Sequence, residues 1–218
     1  MAKNPKWQDE YWLMLMQAYL RCPVGVKPMY SRVMVDLSLE LHIAPQYLAR
    51  RMEQIAVLGT PRLRHFWKVY AANPKRLARA VRLLREMKGF GAAEEFYDGV
   101  EVQETFERDF RPMAEDERFT PVMLILILDL YFRLTPSTMV RETPDVVELA
   151  RLMGLKADDV VDVLDVFKVC DPYLGRLNMS FSPLLAPCRK LWMDFEGDEG
   201  ERLRQAAQEL RPYFEDKG

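Results

Sequence analysis

Apolar residues recur along this chain in two runs that share one register. Trp12, Leu13, Leu15, Met16, Tyr19 and Leu20 form a broad stripe between Asp9 and Arg21, and Pro23 with Gly25 ends it, so the spacing predicts a first helix. Residues 124 to 170, beginning Leu-Ile-Leu-Ile-Leu-Asp-Leu-Tyr-Phe-Arg, lie on residues 12 to 58 at a constant offset of 112 without a gap. Tyr19 then meets Tyr131, Arg21 meets Arg133, Val35 meets Val147, Leu37 meets Leu149, Leu41 meets Met153, Ile43 meets Leu155 and Met52 meets Leu164. Apolar positions match while surface positions diverge, which is what an internal duplication of one packed module leaves behind.

The second run, Thr120 to Leu134, alternates Leu and Ile and has the period of a strand as well as of a helix. Its partner run is poor in β-branched residues, and Thr120-Pro121 is a capping hydroxyl followed by proline at the first helical position, so it is read as a helix. After each first helix the pattern predicts two short helices meeting at a tight turn, Arg32 to His42 with Ala44 to Leu58, and Pro144 to Gly154 with Lys156 to Cys170. Leu77 to Leu84 then matches Leu203 to Leu210 at an offset of 126, and Trp67 meets Trp192 at 125. An insertion in the second copy is expected around Leu177 to Pro187, where Asn178-Met179-Ser180-Phe181-Ser182 alternates as a short strand would. Closing helices are expected over Pro74 to Lys88 and Gly200 to Phe214, with Asn73 and Asp198 near the caps.

In the second copy the string ELARLMGLKADDVVDVL resembles the helix-turn-helix family, over about twenty residues of each copy. Ala150 supplies the small residue of its first helix, Gly154 the turn, and Leu155, Val160 and Val163 the apolar lock between the helices. The first copy keeps Leu37, Leu41, Ile43, Leu48, Met52 and Ile55 with a small Ser38, but has His42 in place of the glycine and Arg51 in place of Val163. A three-helix unit of this spacing is similar to helix-turn-helix and winged-helix domains. The resulting expectation is an all-α protein, with at most a short β wing, of two tandem, internally duplicated helix-turn-helix-like units. These are residues 1–88, which are basic, and 119–218, which are acidic. Between them, residues 89–118 form an acidic, partly helical linker whose Phe96, Tyr97, Val100, Val102, Phe106 and Phe110 make it too apolar for a solvated tether.

Charge divides the chain more sharply than its net −2 reveals. Of 31 Lys and Arg and 33 Asp and Glu, residues 1 to 90 hold 16 and 6, leaving 15 and 27 for the remainder. Two readings stay open: the halves attract each other, a second copy or another protein, or the first half meets a polyanion. In a helix-turn-helix docking the start of the second helix enters the major groove, which the resemblance assigns here to Gln46 and Arg50. Glutamine suits adenine and arginine suits guanine. Arg51, Arg62, Arg64, Lys68, Arg76, Arg79 and Arg82 supply cations for phosphates, although Lys75, Arg76, Arg79 and Arg82 also read as the solvated face of an amphipathic helix. Asp158, Asp159, Asp162 and Asp165 on the equivalent second-copy helix would be repelled by phosphates.

Chemistry leaves few marks. With two histidines, His42 and His65, and no metal-ligand spacing, phosphate loop, dinucleotide motif or nucleophile elbow, neither a metal, a cofactor nor an enzyme is expected. Glu94-Glu95 and Asp158-Asp159 read as solvated charge, and the methionines as core filling. Cys22, Cys170 and Cys188 are far apart, without a CxxC pair, which fits a reducing cytoplasm. No export signal is visible, and Pro121 to Leu134 is shorter than a membrane helix and carries Asp129 and Arg133. The expected role is that of a non-catalytic nucleic-acid-binding protein, with a protein-interaction scaffold or self-associating protein as the alternative.

Overall fold

Among the described residues proline opens six of the α-helices, where its missing N–H has no intrahelical partner to lose. At three of them the residue before it closes the first turn: Thr60 Oγ1 accepts from Leu63 N–H at 3.2 Å, Asn73 Oδ1 from Arg76 N–H at 3.0 Å, and Thr120 Oγ1 from Met123 N–H at 3.4 Å. A computed structural model describes residues 7–87, 90, 105–174, 182–196 and 200–215. The protein is all-α, with no strand among the described residues. Residues 178–181 of the expected wing, Asp198, and most of the expected linker, including Phe96 to Val102 and Glu94-Glu95, lie outside those residues.

The chain divides into two units, the first ending at Gln103 and the second beginning at Glu104. The first holds α1 (Tyr11–Leu20), α2 (Arg32–Leu41), α3 (Pro45–Ala56), α4 (Pro61–Tyr70) and α5 (Pro74–Arg85). Helix α1 is its axis: Trp12, Met14, Leu15, Met16 and Ala18 are buried, and α2, α3 and α5 pack around them. The second unit holds a short α6 (Thr105–Asp109), then α7 (Pro121–Arg133), α8 (Pro144–Met153), α9 (Ala157–Cys170), α10 (Leu185–Phe195), α11 (Glu201–Leu210) and α12 (Pro212–Glu215). Helix α7 is the buried axis here, with α8, α9, α10 and α11 against it. Phe110, Met113 and Phe119 are buried in this unit, and the Phe110 ring meets Tyr213 at 4.9 Å, so the residues after 104 belong to a core rather than to a tether.

At the offset of 112 the buried positions coincide. Trp12, Met14, Leu15, Met16 and Ala18 are buried as are Leu124, Leu126, Ile127, Leu128 and Leu130; Leu48, Met52 and Ile55 as are Val160, Leu164 and Phe167. Leu77, Val81 and Leu84 of α5 match Leu203, Ala207 and Leu210 of α11, and Leu63 of α4 matches Cys188 of α10. Tyr19 meets Trp67 edge-on at 6.0 Å, and Tyr131 meets Trp192 edge-on at 5.6 Å. Arg85 at the end of α5 forks Glu40 of α2 through Nε and a terminal nitrogen at 2.5 and 2.8 Å, and Arg211, just after α11, reaches Glu148 of α8 at 2.7 Å. The expected match that separates most is Val35, fully buried, with Val147, 46% exposed; Ile43 is buried where Leu155 is half-buried, and Tyr131 is buried where Tyr19 is half-buried.

Three boundaries depart from expectation. Residues Leu185 to Pro187 of the expected insertion open helix α10. The closing helix of the second unit stops at Leu210, because Pro212 cannot donate to the helix and starts a new turn. Helices α4 and α10 stand between the expected three-helix modules and their closing helices, and among the described residues the second unit carries α6 and α12 besides.

Candidate nucleic-acid interface

The turn between α2 and α3 decides how α3 is presented. His42 has φ 53° and ψ 37°, the left-handed conformation, and Ile43 N–H donates to Ser38 O at 3.1 Å. Gly154 has φ 75° and ψ 25°, and Leu155 N–H donates to Ala150 O at 2.9 Å. The same hydrogen bond thus closes both turns, and the missing glycine does not open the first. Its cost is steric, about 1–2 kcal/mol for a side chain in this region, although histidine visits it more readily than most residues.

Helix α3 buries Pro45, Leu48, Met52 and Ile55, which leaves Gln46 and Arg50 one turn apart on the opposite face, both exposed. Gln46 Nε2 donates to Tyr30 Oη at 2.9 Å, while Arg50 has no hydrogen-bond or ion-pair partner among the described residues. Glu53 shares this face and adds one negative charge. Arg51 lies on the flank nearest the core. Its guanidinium carbon is 5.1, 5.4 and 5.0 Å from the ring centres of Trp7, Trp12 and Tyr47, and its nitrogens donate to Tyr47 Oη and Gln54 Oε1. That side chain is held within its own unit by cation–π contact.

The remaining expected phosphate contacts divide in the same way. Arg62 pairs with Asp9 at 2.5 Å and lies over Phe66, Arg76 lies over Tyr70, and Arg82 is 3.6 Å from Glu86. Arg64 has one long bond, 3.4 Å, to the Leu58 carbonyl. Lys68 and Arg79 are exposed and have no partner among the described residues, and the same holds for Lys75, which shares the outer face of α5 with Arg79 and Arg82. Arg50, Arg64, Lys68, Lys75 and Arg79 are therefore the cations with charge to spare. Tyr30 is the contact that sequence reasoning missed, since nothing in a loop tyrosine twelve or more residues from α3's centre announces its target.

The second unit reverses these charges. Asp158 on α9 occupies the position of Gln46, and Asp162 that of Arg50. Three of the four aspartates are answered within the unit. Asp158 lies 3.8 Å from Arg141, Asp159 pairs with Arg118 and accepts from Lys156 N–H at 3.0 Å, and Asp165 pairs with Lys168 at 2.7 Å. Desolvation raises the pKa of Asp162 above the usual aspartate value; Arg118 pulls it down, and Asp159, Asp165 and Asp158 push it further up.

Among the described residues no three His, Cys, Asp or Glu side chains gather as metal ligands would, and no helix is long and apolar enough to cross a membrane. Cys22 is exposed, Cys170 half-buried, and Cys188 buried with its thiol pushed up to about 12, by burial first and by the nearby Cys170 second. Set against protein-family models, curated protein sequences and solved structures, the chain matches none of them.

Proposed function

We propose that the two units are diverged copies of one helix-turn-helix-like module, and that the first binds nucleic acid through the outer faces of α3, α4 and α5. The observation that carries this is a one-sided exchange at equivalent positions. Arg50, Lys68, Lys75 and Arg79, exposed and without partners among the described residues, stand where the second unit has Asp162, Met193, Glu201 and Gln205. Phosphates need spare cations, because an arginine already paired with a carboxylate must give up that partner before it releases counterions from a polyanion. The second unit keeps the fold without those charges and serves as a scaffold.

A protein-contact role for the second unit has its own support. Phe132 on α7 is 56% exposed and lies 5.2 Å from Trp192 on α10, and the next residue, Met193, is 62% exposed.

Binding of labelled duplex and single-stranded DNA by the full chain across a salt series tests the first reading. Wild type is expected to lose affinity steeply with salt, and Lys75→Ala with Arg79→Ala to lower the slope by about 1 for each phosphate contact removed. Absence of binding at low salt would sink nucleic acid as the ligand and leave the protein-contact reading standing.

A further inference from the structure

We infer that Tyr30 sets the base preference of the first unit by fixing the side-chain amide of Gln46, which makes the ligand sequence-specific duplex DNA with an adenine beside the guanine read by Arg50. This rests on the nucleic-acid reading above and adds a specificity residue outside the two helices of the turn. Gln46 is the second residue of α3, in the first turn, where a docked recognition helix meets base edges. A glutamine at an exposed site samples many rotamers, and each immobilised side chain of this kind costs about 0.5–1.5 kcal/mol on binding, a 2- to 13-fold loss in affinity. The bond from Gln46 Nε2 to Tyr30 Oη at 2.9 Å removes part of that loss before DNA arrives. In this arrangement Nε2 faces Tyr30. One Nε2 proton is used by Tyr30, and the second Nε2 proton with Oε1 makes no further bond among the described residues. An N–H donor beside a C=O acceptor is the complement of adenine N7 with its N6 amino group in the major groove, and no other base presents that pair. Arg50, one turn further on the same face, presents two parallel donors, the complement of guanine O6 and N7.

The test is selection from a randomised duplex library with the full chain, sequenced for wild type, Tyr30→Phe, Gln46→Ala and Arg50→Ala, with thermal melts to check that each variant folds. Wild type is expected to enrich an adenine and a neighbouring guanine, each about 5- to 150-fold over other bases. Gln46→Ala should erase the adenine and keep the guanine. Tyr30→Phe, which retains the ring and loses only the hydroxyl, should lower the adenine preference several-fold while binding to random duplex and its salt dependence stay unchanged. Tyr30→Phe with the wild-type preference, or with equal weakening on every sequence, would overturn the role of Tyr30. Wild-type binding without base preference would overturn this inference and leave the nucleic-acid reading intact; no binding by wild type would remove both.

Discussion

One position in the two units holds an arginine in the first and a valine in the second. Arg51 and Val163 both sit on the inner flank of their third helix, yet Val163 is fully buried while Arg51 keeps its charge between three aromatic rings. The difference lies in the neighbours. Trp12 and Tyr47 of the first unit correspond to Leu124 and Asp159 of the second, and Trp7 stands before the repeated segment altogether. A guanidinium is weakly hydrated and planar, so stacked rings and a phenolic oxygen replace enough of its water to hold it there. The same framework therefore accepts a charge or an aliphatic group according to what lines the hole.

The largest effect is expected from removing that distinction. Val163→Arg puts a charge at a fully buried position where Leu124 stands in place of Trp12 and Asp159 in place of Tyr47, and should destabilise the second unit by about 3–5 kcal/mol in urea unfolding; a cost below about 1 kcal/mol would mean that the aromatic lining is not what admits Arg51. The turns come next. Gly154→Ala forces a Cβ into a left-handed position and should cost about 1–2 kcal/mol, whereas His42→Gly should stabilise the first unit by up to about 1 kcal/mol, with the entropy of a freer unfolded chain offsetting part of the gain. Opposite signs for the two substitutions, read from paired melting curves, would establish that the shared turn is strained in one unit only. Ser38 offers a third comparison, because its buried hydroxyl has no hydrogen-bond partner and Ala150 fills the equivalent place. Ser38→Ala should stabilise by about 1 kcal/mol and raise the unit's melting temperature by roughly 4–8 °C.

The smallest effect is a titration. Asp162 has a folded-state pKa above its unfolded value, so its contribution favours folding below the unfolded pKa and is lost as pH rises through the folded one. Asp162→Asn should then stabilise the second unit at neutral pH by a few tenths of a kcal/mol, about 0.3, and by nothing in acid. Arg50→Asn in the first unit, which carries no such cluster of acids, should show no matching pH dependence of stability.

Much of the framework was legible from residue spacing. The apolar register shared at an offset of 112 located α1, α2, α3, α7, α8 and α9, because each buries a stripe of four or more residues. Helix α4 went unread because only Leu63 of its ten residues is fully buried, and its cations looked like a site instead of a helix face. Thr60-Pro61 carried the same start signal as Thr120-Pro121 and would have exposed it. The left-handed turn at His42 is not announced by its sequence, because a side chain there carries a steric cost that glycine at 154 avoids. In the candidate interface, Gln46 and Arg50 were legible from helical spacing. That Arg51, Arg62, Arg76 and Arg82 are engaged by rings and carboxylates was not, since those partners come from other helices or depend on rotamers.

The edge-on contact between Tyr131 and Trp192 has a spectroscopic consequence. Of the four tryptophans, Trp7, Trp12 and Trp67 are in the first unit and Trp192 alone is in the second. Replacing those three with phenylalanine leaves one tryptophan, 5.6 Å from a tyrosine that can pass it excitation energy. Its colour and quantum yield, read in the tryptophan emission band, would then follow the second unit through denaturant or ligand.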